Sequence, residues 1–297
     1  MTEDSMQAQL QGYSRRDLGD RKHWYVSIAD AYDQTRPQYP QEICDRILAL
    51  SNLPPKPKLL EIGCGPGTTT ANFARHGLEI LCLEPNPAFY DLAQRNCAPY
   101  TNVEIRNLAL EEWPIDPEQF DLVYAANAFH WIPPEVGYPK VAAALKPGGS
   151  LALLWNMTLE PSLEVHQQLK PLFVDQAPIF SRYEGPGRQA EILIELGQMM
   201  VDSGRFERPR VESMICEHHY GLADYLALLS TYSHYIELPE EVRSRLFASL
   251  QDMISLATCS TPNPVNSDYL NGEPVKDRHI LHLFNRCGFQ IGRKASR

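Results

Sequence analysis

Three glycines at alternate positions, Gly63, Gly65 and Gly67, directly follow a short apolar run from Leu59 to Ile62. The residues after them, T-T-T-A-N-F-A-R-H-G, predict a short helix that ends at Gly77. A strand, a glycine-rich turn and a helix in this order allow the backbone to approach a nucleoside-type ligand closely. The motif alone is not specific, so its meaning depends on the rest of the chain.

Strands and helices alternate over the following hundred residues. Strands are predicted at 79–84, 103–108, 120–127 and 150–156, and helices at 86–97 and 135–145. Such alternation is typical of βαβ units in a mostly parallel sheet. Right-handed crossovers place a ligand at the carboxyl ends of the strands. We therefore expect an α/β, Rossmann-like fold with a ligand site at the glycine turn.

The remaining segments predict one domain with an embellishment. Residues 1–20 are polar and aperiodic, so we expect them to be disordered or loosely docked. Residues 161–205 have helical tendency and are expected to form an inserted helical cap. Strands at 207–220 and 280–285 should complete the same sheet, so that residues 21–297 form a single domain.

Composition narrows the class of protein. The net charge of −10 argues against a broad nucleic-acid-binding surface, which needs clustered Lys and Arg. No apolar run approaches the ~20 residues that span a bilayer, and the acidic N-terminus does not resemble a signal peptide. Seven cysteines with no C-x-x-C pair predict reduced thiols, a cytoplasmic location and no zinc site. His218 and His219 would point to opposite faces of a strand, which also argues against a metal site.

Two acids indicate which nucleoside is bound. A dinucleotide fingerprint has the spacing G-x-G-x-x-G, whereas this chain has G-x-G-x-G with Glu61 two residues before the first glycine. A carboxylate at that point would repel a pyrophosphate and would suit an ammonium group. Glu84, at the end of the second strand, is placed to accept hydrogen bonds from two ribose hydroxyls. An adenosine with an amino-acid tail is S-adenosylmethionine.

Several motifs then resemble a known family. E-I-G-C-G-P-G, L-E-P-N, F-D-L-V-Y-A and L-K-P-G-G resemble the successive motifs of class I S-adenosylmethionine-dependent methyltransferases. Y-D-Q-T-R-P-Q-Y-P, E-E-W-P and A-F-H-W-I are similar to a microbial small-molecule subgroup of the trans-aconitate methyltransferase type. The resemblance covers residues 24–156 and is vaguer over 207–290. It implies a seven-stranded sheet whose last strand is antiparallel.

The resemblance also implies cofactor-binding positions around the methionine, ribose and adenine parts. These are Glu61, Gly63, Cys64, Gly65 and Gly67 at the turn, Glu84, Pro85 and Asn86 after the second strand, Ala109, Leu110 and Glu111 after the third, and Asn127 after the fourth. One position departs from the pattern. The family often has Asp, which accepts a hydrogen bond from the adenine amino group, where this chain has Ala109.

A helix with Trp24, Ile28 and Tyr32 on one face ends before Arg36, and Tyr39 lies beyond it between two prolines. Arg36 could pair with the cofactor carboxylate or with an acidic substrate, since a guanidinium grips carboxylates in bidentate fashion. It could equally be a surface residue that stiffens the loop. We assign Tyr32 and Arg36 to the cofactor and Tyr39 to the substrate.

His130 and Trp131 follow the carboxyl end of the fourth strand. His130 is the candidate general base, because a histidine can take a proton near neutral pH, and Trp131 is a candidate substrate contact. Alternatively, both residues cap the next helix and wall off the cofactor.

Two sets of side chains late in the chain have two possible locations each. Tyr225, Tyr232, His234 and Tyr235 crowd one helix end, where some should be core and others should line the pocket. Arg182 and Arg188 flank a Gly-Pro-Gly loop and could meet an anionic substrate or belong to a solvated surface.

We expect methyl transfer from S-adenosylmethionine to a small molecule, through an oxygen nucleophile such as a carboxylate or hydroxyl. We expect no nucleic-acid, membrane or metal partner and a monomer or homodimer. Nitrogen and carbon acceptors are the alternatives to oxygen. The alternative functions are a non-catalytic S-adenosylmethionine-binding regulator, a macromolecule methyltransferase, which should show a basic face or an added recognition domain, and a nucleotide-dependent oxidoreductase, which the glycine spacing and Glu61 disfavour.

Overall fold

The computed structural model describes residues 12–260, 269–270, 273–274 and 280–296. Its strands are β1 Lys58–Ile62, β2 Glu79–Leu83, β3 Val103–Arg106, β4 Phe120–Ala126, β5 Leu145–Asn156, β6 Glu160–Pro161, β7 Arg210–Gly221, β8 Tyr269–Leu270, β9 Glu273–Pro274 and β10 Ile280–Arg293. The helices are α1 Leu18–His23, α2 Ala29–Thr35, α3 Gln41–Leu50, α4 Thr68–Ala74, α5 Pro87–Asn96, α6 Pro134–Ala144, α7 Leu163–Gln176, α8 Pro186–Asp202, α9 Leu222–Ser230, α10 Ser233–Ile236 and α11 Glu240–Ser260. Short 3-10 turns occupy Val26–Ile28, Phe129–Trp131 and Pro178–Ser181.

The main sheet has the order β3-β2-β1-β4-β5-β10-β7. Strands β1 to β5 pair in parallel, and β10 runs antiparallel between β5 and β7, since residues 287–291 pair with both. The two-residue β6 also pairs with β10, which brings the sheet to eight strands, one more than expected. The predicted mostly parallel α/β sheet with an antiparallel last strand is confirmed.

The central strands are buried because helices cover both faces of the sheet. β4 and β5 are almost wholly apolar and buried, as expected for strands of a parallel sheet. All β-to-α turns of β1, β2 and β4 therefore open at one edge of the sheet, where the glycine turn lies.

The cap differs from the predicted 161–205. Apolar residues of α8, Ile192, Leu193 and Leu196, pack in the same buried cluster as the sheet residues Leu153 and Trp155. A separate cluster joins α7 to α9, α10 and α11 through residues that include Leu169, Phe173, Leu228, Leu246 and Leu250. We use the term helical cap for α7, α9, α10 and α11. Helix α8 belongs to the sheet layers.

The N-terminus also differs from its prediction. Residues 1–11 lie outside the described part of the chain, but 12–14 are helical and α1 begins at Leu18. Tyr13 is buried, with its ring centroid 4.9 Å from that of Trp131. Isolated contacts, Tyr13 on Trp131 and the ion pair of Arg16 with Glu237, hold this segment, which explains why apolar periodicity does not reveal it.

No helix within the described ranges is both long enough and apolar enough to cross a membrane.

Candidate active site

Two adjoining cavities open at the carboxyl ends of the parallel strands. One lies against the glycine turn, and we call it the turn cavity; the other lies beneath the helical cap, and we call it the cap cavity. The two cavities share part of their lining, which we call the common wall. The residues that line both are Tyr25, Tyr32, Arg36, Asn127, Asn156, Met157 and Tyr232.

Glycines form the wall of the turn cavity because this backbone needs left-handed geometry. Gly63 has φ 64°, and a Cβ there would lie 2.7 Å from Cβ of Ala128. Gly65 has φ 56°, and its Cα faces open space. Gly63, Cys64 and Gly65 all line the cavity. Gly67 does not line the cavity. It directly precedes α4, and a Cβ on Gly67 would lie 2.7 Å from Sγ of Cys97.

Glu84 fastens the turn to the end of β2. The backbone N–H of Gly65 donates to its Oε2 at 2.7 Å, and that of Asn86 donates to its Oε1 at 2.8 Å. Burial raises the pKa of Glu84 to about 7, although these two backbone hydrogen bonds oppose the rise. Each carboxylate oxygen keeps a lone pair for a further donor.

The same region holds an unsatisfied donor. Nδ2 of Asn86 is buried and has no partner among the described residues, while Oδ1 of Asn86 caps α5 by accepting from Ala88 and Phe89. A buried donor with no partner is costly and is typical of a ligand site. Acceptor oxygens at Glu84 and a free donor at Asn86 fit a ribose and an adenine, which supply donors and acceptors respectively.

Glu61 lies elsewhere than expected. It does not line the turn cavity but is fully buried below the turn. Its Oε2 accepts from Oγ1 of Thr70 at 2.5 Å and from the hydroxyl of Tyr124 at 3.0 Å. Burial raises the pKa of Glu61 to about 7. In this position Oε2 of Glu61 braces β1, β4 and α4, while its Oε1 is buried with no partner among the described residues.

Pro85, Ala109, Leu110 and Glu111 line the turn cavity at the positions that the family resemblance implies for adenine. The sequence gives no sign of what closes this side. Arg21, in α1, donates from Nη1 to Oε1 of Glu111 at 2.6 Å and to the carbonyl oxygen of Trp131 at 2.5 Å.

Arg36 stands in the common wall. Its Nε donates to Oγ1 of Thr231 and its Nη2 to the carbonyl oxygen of Thr231, both at 2.8 Å. Its guanidinium carbon lies 4.8 Å from the ring centroid of Tyr32 and 3.9 Å from that of Tyr232. No carboxylate of the described residues forms an ion pair with Arg36, so its positive charge is available to an anionic group in either cavity.

Hydrogen bonds to Asn127 fix the loop after β4. Asn127 has φ 48°, and its Oδ1 accepts from the Tyr39 hydroxyl and from the Asn156 backbone N–H, the latter at 2.6 Å. Tyr39 and Trp131, our predicted substrate contacts, line the turn cavity and not the cap cavity.

His130 lines the cap cavity and is separated from the turn cavity. Its ring is packed near Trp155, with centroids 5.6 Å apart, and its Nδ1 is buried without a partner in the described structure. Burial lowers the pKa of His130 to about 4, so the imidazole is neutral at pH 7.

The tyrosines, histidine and arginines that the sequence analysis singled out late in the chain lie in different places. Tyr232 lines both cavities, and Tyr225, His234 and Tyr235 line the cap cavity. Arg182 lines the cap cavity, whereas Arg188 pairs on the surface with Glu191 and Glu195. The described residues contain no group of three or more His, Cys, Asp or Glu side chains that could hold a metal ion.

Residues 59–149 match the sequence model of a family described as a methyltransferase domain. An uncharacterized methyltransferase of Mycobacterium tuberculosis is 36% identical over 143 residues, which are 48% of this chain and 55% of that protein. The chain thus spans about half the length of the first relatives it matches. A methyltransferase-like protein of Schizosaccharomyces pombe is 26% identical over 84% of this chain and 91% of its own length.

A trans-aconitate 2-methyltransferase of Variovorax paradoxus is 29% identical over 133 residues, 44% of this chain and 49% of that protein. A solved structure of a protein assigned as a type II methyltransferase, from Anaeromyxobacter dehalogenans, has a TM-score of 0.57 at 17% identity, covering 87% of this chain and 97% of that one. This last likeness shows the fold.

The sheet order, the glycine turn beside Glu84 and the matched domain confirm the predicted resemblance, and S-adenosylmethionine is the cofactor that such a domain uses. Residues 59–149 match a methyltransferase domain, and the chain has the α/β fold of class I S-adenosylmethionine-dependent methyltransferases.

Proposed function

We propose that the protein transfers a methyl group from S-adenosylmethionine to a small molecule held in the cap cavity, with an oxygen atom of that molecule as nucleophile. The observation that carries this proposal is the common wall of the two cavities. A cofactor in the turn cavity and an acceptor in the cap cavity would meet at this wall, and alignment of two reactants is the main requirement for methyl transfer.

The residues of the turn cavity would hold the cofactor. Glu84 would accept hydrogen bonds from the ribose hydroxyls, and the Asn86 amide would donate to the adenine. Arg36 would pair with the carboxylate of the methionine part, since it has no acidic partner of its own. The bound cofactor supplies a methyl group on a positively charged sulfur.

Enclosure supports a small acceptor. The cap cavity is walled by aromatic and aliphatic residues of the sheet and the cap, including Trp155, Leu159, Phe173 and Tyr235. The aromatic and aliphatic part of this lining matches the usual make-up of a small-molecule site.

His130 supports an oxygen nucleophile. Its neutral ring can accept a hydrogen bond from a hydroxyl at Nδ1, but the pKa, which burial lowers to about 4, disfavours transfer of the proton to the ring, so His130 would orient the hydroxyl and would be a weak base. A carboxylate acceptor would need no base.

The experiment is a methyl-transfer screen over small carboxylic acids, phenols and amines, with S-adenosylhomocysteine formation as the readout. We expect turnover with an acid or a phenol and loss of S-adenosylhomocysteine binding in Glu84→Ala. Turnover only with amines would contradict the oxygen nucleophile. Silence with every acceptor, combined with tight S-adenosylhomocysteine binding, would favour the non-catalytic regulator. A rise in melting temperature with NAD alone would overturn the proposal.

A further inference from the structure

The cap cavity contains a polar pair that the proposed chemistry does not use. Glu160, in β6, and His166, in α7, both line this cavity, and neither lines the turn cavity. Their side chains are only 12% and 5% exposed. Ionisable side chains that are buried at the wall of a pocket are candidates for orienting a ligand.

The surroundings of His166 fix which of its nitrogens carries the proton. Nε2 lies 3.3 Å from the carbonyl oxygen of Ser181. A carbonyl can only accept, so Nε2 is the N–H in this hydrogen bond. In the neutral ring, Nδ1 is then an acceptor, and Nδ1 is the atom that faces Glu160.

Glu160 is in turn suited to donate. Burial raises its pKa to about 8, and the neighbouring Glu184 adds to the rise. The described residues place one weak donor on it, the backbone N–H of Glu184, 3.4 Å from Oε1. A protonated carboxyl carries one O–H donor, which leaves Oε2 free to direct it toward His166.

The two side chains do not bond to each other. Oε2 of Glu160 and Nδ1 of His166 are 4.0 Å apart, which exceeds the length of a hydrogen bond. An oxygen atom between them could accept from Glu160 and donate to His166. A hydroxyl group has one donor and two acceptor lone pairs, so it satisfies both sides at once.

We propose that Glu160 and His166 form a hydroxyl-binding subsite that orients the methyl acceptor, which is therefore an apolar or aromatic molecule with a hydroxyl group remote from the common wall. The inference rests on the proposed function, because it takes the cap cavity to be the acceptor site. Glu160 and His166 are positioning residues, whereas the reacting atom of the acceptor lies at the common wall.

Benzyl alcohol, toluene and benzylamine are suitable probes, because they share a ring and differ in one group. Their dissociation constants would be measured by ligand-observed NMR, with and without S-adenosylhomocysteine, for the wild type, Glu160→Gln, Glu160→Met and His166→Phe. The quantity compared is the ratio of the toluene constant to the benzyl alcohol constant. Calorimetric binding of S-adenosylhomocysteine to each variant shows that it is folded and tests the proposed function separately.

We expect this ratio to fall at least fivefold in Glu160→Met and in His166→Phe, since each lacks one hydrogen-bonding partner of the hydroxyl. Glu160→Gln should keep most of the wild-type ratio, because its amide still donates. An equal ratio in the wild type and Glu160→Met would overturn the subsite, whatever the S-adenosylhomocysteine result. Tighter binding of benzylamine than of benzyl alcohol, lost in Glu160→Gln, would also overturn it by showing an ammonium site.

Discussion

Two buried glutamates flank the glycine turn, and burial raises the pKa of both, but their positions assign them different tasks. Glu84 lies beside the turn, accepts two backbone N–H groups and faces the turn cavity. Glu61 lies below the turn and accepts hydroxyl groups of Thr70 and Tyr124. Glu84 thus faces the turn cavity directly, whereas Glu61 does not line that cavity and holds the elements below the turn.

Glu61 should make the stability of the protein depend on pH. Its pKa is about 7 in the folded protein and 4.5 as the reference value. The group is protonated in both states below pH 4.5, so its full contribution to the unfolding free energy is present there and is lost as pH rises through 7. The loss amounts to at most about 3 kcal/mol. Glu61→Gln cannot ionise, and its amide oxygen can still accept from Thr70 and Tyr124.

We therefore expect the unfolding free energy of Glu61→Gln, measured by urea denaturation between pH 5 and pH 8.5, to fall less steeply than that of the wild type. Glu241→Gln, which changes an exposed acid at the start of α11, is the matched control and should run parallel to the wild type. Parallel curves for Glu61→Gln and the wild type would show that Glu61 does not ionise in this range.

Single residues also show how far a sequence can be interpreted. The apolar run before Glu84 shows in the sequence where β2 ends, so the position of Glu84 at the cavity could be predicted. The direction of the Glu61 side chain could not, because it depends on the register of β1 between β2 and β4. Glu160 and His166 have no motif around them; only the packing of α7 onto β6 and β10 brings them together.

At the scale of elements, the N-terminal segment closes the turn cavity. Besides the Arg21 contacts, Nζ of Lys22 lies 2.6 Å from Oε2 of Glu112, and the Tyr25 hydroxyl lies 2.7 Å from Oγ of Ser233 in the cap. The segment therefore bridges the loop after β3 and the helical cap. Within residues 12–20, the ion pair of Arg16 with Glu237 is likewise isolated in sequence, which explains why the aperiodic pattern of residues 1–20 predicted a disordered or loosely docked end.

Arg21→Ala should detach the N-terminal segment from Glu111 and Trp131. The side chain of Arg21 is 10% exposed and its hydrogen bonds involve a charged group, whose loss costs about 1.5–3 kcal/mol. We expect S-adenosylhomocysteine to dissociate at least fivefold faster, measured by stopped-flow fluorescence, and amide hydrogen exchange to increase over residues 12–28. Lys22→Ala removes an ion pair whose acid is 41% exposed, so it should change both quantities little. Equal effects of the two substitutions would refute closure by Arg21.

The helix assignments show a second limit of sequence interpretation. The helical pattern of α7 and α8 could be predicted, but not that α8 lies on the sheet while α7 joins the cap. Both helices have buried apolar residues, and only their partners differ. Several of those partners, α11 for α7 and β7 and β10 for α8, come later in the chain.

The molecule as a whole is built on separate buried clusters that correspond to its two cavities. The clusters on the two faces of the sheet include Ile62, Cys64 and Leu83, which stand beside the turn cavity. The cap cluster includes Leu159, Leu169 and Tyr225, which line the cap cavity together with Trp155, Ile192 and Leu196 of one sheet cluster. The cofactor site should therefore depend on the packing of the sheet and the acceptor site on the packing of the cap.

Leu246→Ala tests this division. Leu246, in α11, is fully buried in the cap cluster, and a cavity at such a site costs about 2–5 kcal/mol. We expect faster hydrogen exchange in α7, α9 and α11, and a weaker preference of the protein for benzyl alcohol over toluene. S-adenosylhomocysteine affinity should stay within threefold of the wild type, because the sheet packing around the turn cavity is unchanged. Leu122, in β4, is equally buried in a cluster of the sheet, so Leu122→Ala should instead weaken S-adenosylhomocysteine binding. If Leu246→Ala reduced S-adenosylhomocysteine affinity as much as Leu122→Ala while both remained folded, the two cavities would have to share one packing unit.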